Sequence, residues 1–217
     1  RVSSHQLPTP LAVLKTQVQS ALRGDVEPRL ALEEIAQTVE GATELANQML
    51  ALAKVEQLRQ QDDVPVSDWT QTVRHVALDL SALIADKALD FELEAGEARV
   101  RAHEWSLREL TRNLLHNAVR HSPVGGRLTI RLGRDGEQAT LLIRDEGPGI
   151  SELQRTRLFQ AFATDATTRG SGSGLGLAIC HGLVETLQGR IALDNRIQHG
   201  RVAGLDARVE LPLAAHD

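Results

Sequence analysis

"RNLLHNAVRHS" (Arg112–Ser122) is the stretch on which the reading of this chain turns. Asn113 and Asn117 stand four apart and so share one face of a helix. Asn is a poor helix former, and two on one face call for a reason. Their carbonyl oxygens suit a hard cation such as Mg²⁺, held partly by the phosphates of a substrate. Two solvated amides on an exposed face are the plain alternative. Arg120, one turn beyond Asn117, is placed to reach phosphate oxygens. Zinc is excluded, because His116 and His121 are five apart and no cysteine pairs with them.

Two glycine clusters lie downstream. In "RGSGSGLGLAI" (Arg169–Ile179), Gly170, Gly172, Gly174 and Gly176 alternate just before a helix. Such glycines expose backbone N–H groups to an anion at a helix N-terminus, which points to phosphate; a surface loop is the alternative. There is no G-K-[ST] for a Walker A loop. Nor does any register give G-x-G-x-x-G, since Leu175, Leu177 and Ile179 take the third positions. In "RDEGPGI" (Arg144–Ile150), Asp145 ends a strand. It reads as a turn residue, or as an acceptor for an exocyclic amine that separates adenine from guanine. Gly147 and Gly149 would let a planar base approach the backbone.

Around these clusters the chain divides in two. Leu7, Leu11, Leu14, Val18 and Leu22 have helical spacing. "RGDVEP" (Arg23–Pro28) supplies a glycine stop and a proline start, and a second helix follows to about Gln60. Its stripe alternates Ile35, Ala42 and Met49 with Thr38, Leu45 and Leu52, nearly a heptad. Docking on a second copy as a four-helix bundle would bury both stripes; packing on the neighbouring domain is the alternative. "QDDVPVSD" (Gln61–Asp68) marks the boundary between residues 1–62 and 63–217. Beyond it, helices at Trp69–Asp86, Glu104–His121 and about 174–189 alternate with strands at Leu89–Ala95, Arg99–Ala102, Arg127–Gly133 and Ala139–Glu146. Two closing strands lie near 190–195 and 206–211, and residues 158–173 read as a polar, glycine-rich loop. Helices on one face of a mixed, largely antiparallel sheet make this an α+β sandwich.

Composition narrows the classes further. The chain has 217 residues and a net charge of −5, with no dense basic run, which argues against a nucleic-acid partner. One cysteine, Cys180, excludes a disulfide framework and fits a reducing compartment. No apolar stretch approaches the ~18 residues of a transmembrane helix, and no signal peptide is read. The start at Arg1, without a methionine and within a pattern, reads as part of something longer.

Taken in order, an H-box around His5, an N-box "NLLHNAVRHS", a G1 box "DEGPG", an F-box "LFQAF" and a G2 box "GSGLGL" resemble the sensor histidine kinases of two-component systems. The start, "SHQLPTPLAVLKTQVQ", looks most like the tricarboxylate-sensing branch. The resemblance implies a dimerisation and phosphotransfer hairpin followed by an ATP-binding domain of the type shared by gyrase, a heat-shock chaperone, histidine kinases and MutL. It implies ATP and Mg²⁺ as ligands, a homodimer, and a response-regulator receiver domain as partner, with the chain on the cytoplasmic side of a bacterial membrane. His5 would be the phosphoacceptor. Asn113 and Asn117 would help hold Mg²⁺, Arg120 would touch phosphate, and His121 would lie near adenine. Asp145, with Gly147 and Gly149, would read the adenine amine. Gly172, Gly174, Leu175 and Gly176 would border the phosphates. Phe159 and Phe162 look like anchors of a lid over the nucleotide, and Arg169 in that lid would offset γ-phosphate charge.

Two departures flank His5. The family usually follows the histidine with Glu or Asp; here it is Gln6, whose amide takes no proton but can fix the His5 tautomer. Thr9 fits a role in phosphatase chemistry, with Gln6 placing the water. Pro10 belongs to the motif, whereas Pro8 stands where a basic residue is usual. Pro8 and the nearby start of the chain predict a frayed first turn, weak autophosphorylation and an altered dimer. An ATPase of the gyrase group, or an adaptor without histidine phosphorylation, is the rival class.

Overall fold

Proline at the first position of a helix costs little, because its missing N–H has no intrahelical partner there. Helix α2 (Pro28–Leu58) begins this way, and α1 is described over Pro10–Arg23. These bounds come from a computed structural model, which describes residues 10–59, 63–161 and 174–214. The expectations for His5, Gln6, Pro8 and Thr9 therefore lie outside the described residues, as do those for Phe162, Arg169 and Gly172.

The chain forms two compact units, Arg1–Ala51 and Leu52–Asp217. In the first, α1 stops where the glycine predicts. Gly24 takes φ +75°, its N–H donates to Ala21 O (3.1 Å), and Asp25 N–H donates to Ser20 O (3.1 Å). That pair of bonds satisfies the last carbonyls of the helix. Glu27 caps α2, its carboxylate accepting from Leu30 N–H at 3.0 Å. Ala31, Ile35, Thr38, Ala42 and Leu45 are buried or half-buried along one side of α2, and Thr38 Oγ1 donates to Gln17 Oε1 on α1 (3.0 Å). Leu11, Leu22, Leu32 and Leu50 stay exposed.

The second unit carries β1 (Val66–Asp68), α3 (Trp69–Asp79), α4 (Ser81–Asp86), β2 (Asp90–Ala95), β3 (Arg99–Arg101) and α5 (Glu104–His121). There follow β4 (Arg127–Asp135), β5 (Gln138–Arg144), α6 (Glu152–Arg155), α7 (Gly176–Thr186), β6 (Arg190–Gln198) and β7 (Arg201–Pro212). The main sheet has the order β2-β4-β5-β7-β6, with β2 parallel to β4 and the other pairs antiparallel. This is the mixed, largely antiparallel sheet that the pattern predicts. Leu128, Ile130, Leu141 and Ile143 are buried on its inner face together with Leu107, Leu110 and Leu115 of α5. Trp69 joins them, and its indole N–H donates to the buried Thr111 hydroxyl (3.1 Å). Glu94–Arg131 (3.0 Å) and Asp90–Arg127 (2.9 Å) pair across β2 and β4; at this exposure such pairs contribute little.

Three details differ from the sequence reading. Val66–Asp68, placed in the linker, forms a three-residue strand paired with β3. A strand this short has no alternation to read. The helix predicted over Trp69–Asp86 breaks at Leu80, and the turn keeps both Leu80 and Ile84 buried. The closing strands are longer than predicted, with a register shift between Arg196 and Ile197.

The C-terminus of α5 is held by a cation. Lys87 Nζ donates to the carbonyls of Val119 (2.9 Å), Arg120 (2.6 Å) and Ser122 (2.8 Å), groups a helix end leaves without partners. Lys87→Met should therefore destabilise this unit by about 2–3 kcal/mol. Urea unfolding followed by tryptophan fluorescence checks it, because both tryptophans, Trp69 and Trp105, belong to this unit.

Candidate functional site

Helix α5 is amphipathic, and its polar stripe carries Asn113, Asn117, Arg120 and His121 at i, i+4, i+7 and i+8. Asn113 Nδ2 donates to Glu109 O and to Glu109 Oε1, both at 2.9 Å. With its donor group so occupied, the amide turns Oδ1 the other way. A side chain at Gly176 would begin 2.9 Å from that oxygen, so the first turn of α7 lies directly against Asn113. The N–H groups of the first turn of α7, which a helix leaves without intrahelical partners, thus come to the same place as Asn113, the arrangement an anion or its counter-cation needs. Gly174 just before them has φ +71°. Leu175, by contrast, is fully buried and serves the core.

About two turns beyond Asn113, the turn after β5 packs on the C-terminus of α5. Asp145 is only 4% exposed. Its Oδ1 accepts from Gly147 N–H (2.7 Å) and Leu205 N–H (3.3 Å). Among the described residues both bonds fall on Oδ1 and none on Oδ2. Burial pushes the Asp145 carboxyl above its usual range, against the two amide bonds and the charge of Arg196. A side chain at Gly147 would meet His121 O at 2.8 Å, so glycine is required there by close approach. Gly149 has φ +71°, and a side chain on it would run into Asn195 and Val202. His121 itself is held below the usual histidine range by burial and by the charges of Arg120, Lys87 and His116. The ring is uncharged at neutral pH.

The structure thus brings Asn113, His121, Asp145, Gly147 and Gly176 together along the C-terminal half of α5, with Asn117 and Arg120 half-buried between Asn113 and His121. Phe159 lies elsewhere, its ring 4.8 Å from that of His181 on α7. Several residues at the site escape sequence reasoning. Asn195 accepts from Ile150 N–H (2.8 Å) and donates to Ile150 O (2.7 Å). Arg196 donates to Asp145 O (3.0 Å) and to Asp206 Oδ1 (2.9 Å). Asp206 also accepts two bonds from Arg144, at 3.0 and 2.8 Å. Burial alone would raise Asp206, but these arginines outweigh it and hold the carboxyl below its usual range.

Residues 102–215 match the family described as "Histidine kinase-, DNA gyrase B-, and HSP90-like ATPase". The chain is 31% identical over 219 residues to the sensor protein kinase PmrB of Pseudomonas aeruginosa, covering 99% of this chain and 45% of that protein. It therefore spans less than half the length of that relative. Its fold is similar to that of the histidine kinase AdeS of Acinetobacter baumannii (TM-score 0.76, 22% identity, 97% and 98% of the two chains). It is also similar to the histidine kinase ThkA in complex with the response regulator protein TrrA (TM-score 0.74, 19% identity, 97% of this chain and 59% of that one). At such identities the two structures speak for the fold alone.

The Arg144–Asp206–Arg196 group makes stability depend on pH in a set direction. A carboxylate whose pKa is depressed on folding stabilises above its unfolded pKa, and that contribution is lost as pH falls through the folded value. Asp206→Asn should cost about 1–2 kcal/mol at neutral pH, a partly exposed group being discounted for screening. The difference should close in acid, at a pH below the usual carboxylate range. Unfolding curves of the parent and the variant across pH check this.

Proposed function

Because the chain belongs to the histidine kinase-, DNA gyrase B- and HSP90-like ATPase family, and its relatives are sensor histidine kinases, we propose that it binds ATP with Mg²⁺ and phosphorylates His5. The phosphoryl group then passes to an aspartate on the receiver domain of a response regulator. The observation that carries this is Asp145: a buried carboxylate at a strand end, Oδ1 satisfied by two backbone amides and Oδ2 bonded to none of the described residues, beside glycines that no side chain could replace.

Each side chain has a task in this account. Asp145 Oδ2 accepts from the exocyclic amine of adenine, and Gly147 and Gly149 let the base lie close to the backbone. The uncharged ring of His121 borders the base without adding a charge. Asn113 and Asn117 fit a hard cation, since Glu109 already holds the Asn113 amide with Oδ1 presented. Mg²⁺, when bound, neutralises charge on the phosphates. Arg120 and the amides at the start of α7 hold those phosphates for in-line transfer. An imidazole nitrogen of His5 attacks the γ-phosphorus, the P–O bond to ADP breaks, and ADP leaves with the electron pair. Gln6 fixes the His5 tautomer, Thr9 and Gln6 place the water that releases inorganic phosphate in the phosphatase reaction, and Arg169 offsets γ-phosphate charge. Phe159 and Phe162 anchor the segment over the nucleotide, with Gly172 and Gly174 beside the phosphates.

By the same account the exposed leucines of α1 and α2 are the surface of a homodimer. The whole protein is a membrane receptor of which this chain is a cytoplasmic portion. No described helix is long and apolar enough to cross a membrane. The partner in this account is a response regulator; ThkA, similar in fold, was solved with one of its own.

The test is incubation with γ-labelled ATP and Mg²⁺ followed by acid or base. Label that is stable to base, lost in mild acid and absent from His5→Gln is expected. Asp145→Asn should need about ten- to a hundredfold more ATP for the same labelling, the loss of one charge-assisted hydrogen bond. That gap should narrow as pH falls through the raised Asp145 pKa, where the parent loses its carboxylate too. Hydrolysis without label would make the chain an ATPase of another kind, and label that survives acid would place the phosphoryl group on a hydroxyl rather than on His5.

A further inference from the structure

A strand normally sends consecutive side chains to opposite faces. Asn195 and Arg196 on β6 break that rule in effect, because both grip the turn after β5, two strands away across the sheet. The register shift between Arg196 and Ile197 lies at this point, and such irregularities redirect side chains. The strand between, β7, is opened by Gly204, which has φ +148°. A side chain there would overlap Asp145 O and lie 2.6 Å from Arg196 Nη2. Gly204 is therefore the gap through which Arg196 reaches the Asp145 carbonyl, with Ala203 O (3.0 Å) and Asp206 holding the guanidinium in place. At the far end of the turn, Asn195 closes two hydrogen bonds on Ile150 and fills the space a side chain at Gly149 would need.

The turn 145–150 is thus fixed at both ends from β6. Neither Asn195 nor Arg196 is needed to satisfy the Asp145 carboxylate, whose partners are the amides of Gly147 and Leu205. What the two residues determine is where that carboxylate stands relative to Gly149. From this we infer that Asn195 and Arg196 are positioning residues for base selection: they set the distance between the acceptor that reads the adenine amine and the backbone against which the ring lies. The inference rests on the nucleotide-binding account above and adds to it the residues that tune adenine over guanine.

The test uses the full chain and three ligands in the presence of Mg²⁺: ATP, GTP and inorganic tripolyphosphate. Asn195→Ala and Arg196→Met should each weaken ATP by at least about tenfold, the effect of losing bonds that hold one recognition group in place. Tripolyphosphate binding, which needs only the α5 and α7 groups, should stay within about twofold, so the ratio of ATP to GTP affinity narrows. Arg196→Lys, which keeps a donor and the charge facing Asp206, should recover part of the ATP affinity. Tryptophan-fluorescence unfolding keeps the fold in view; if Arg196→Met does not fold, Asn195→Ala carries the same comparison without touching the Asp206 ion pairs. An unchanged ATP-to-GTP ratio overturns the inference, as does an equal loss of ATP and tripolyphosphate. A parent chain that binds tripolyphosphate but prefers no base overturns it as well, together with the adenine role of Asp145. A parent that binds none of the three overturns the nucleotide account itself.

Discussion

A buried carboxylate must be given hydrogen bonds or it will take up a proton, and Asp145 sets that condition for everything around it. Its two donors, Gly147 N–H and Leu205 N–H, come from the turn it begins and from β7. For the first to reach it, the turn must press against the last carbonyls of α5, which leaves no room for a side chain at 147. The second requires β7 to run beside β5 at this level, and Gly204 must be bare for the two backbones to approach. One acidic residue thus ties the end of β5, the C-terminus of α5 and the start of β7 into a single rigid corner.

The helix α5 is the other half of that corner. Its buried leucines pack on the inner face of the sheet, and Lys87 closes its last turn with three carbonyl bonds. Packing therefore fixes the rotation of the helix, and the polar stripe from Asn113 to His121 has no choice of direction. Glu109 then fixes the one remaining freedom, the flip of the Asn113 amide. The metal-suited oxygens lie from the middle of α5 onward, and the acceptor for a base packs on the helix C-terminus, about two turns beyond Asn113. A ligand with phosphates at one end and a purine at the other matches that separation.

The elements of this site that the sequence makes legible are those with strong local patterns. Helix α5 runs over the predicted residues, Glu104–His121, because its apolar positions repeat without interruption. The glycines at 147, 149 and 176 are legible as positions that need a bare backbone, but the sequence points to a ligand there, whereas the structure shows each also meeting the chain's own His121, Asn195 or Asn113. Legibility ends where the cause is distant in sequence. Asn195 and Arg196 lie some fifty residues beyond the turn they hold, and "DNRIQ" within β6 has no alternation to suggest that two adjacent side chains serve one site. Gly204 reads only as a loop glycine until β7 is seen between β5 and β6. The strand Val66–Asp68 and the break at Leu80 are hidden for a different reason, spanning too few residues for a pattern to repeat.

The central claim is that Asp145 Oδ2 accepts a hydrogen bond from the exocyclic amine of adenine. Calorimetry with ATP and with purine riboside triphosphate, which differs from it only by lacking that amine, addresses the bond and nothing else. The account predicts that the analogue binds about ten- to a hundredfold more weakly, leaving a buried charged acceptor unpaired. Equal affinity for the two nucleotides would contradict it.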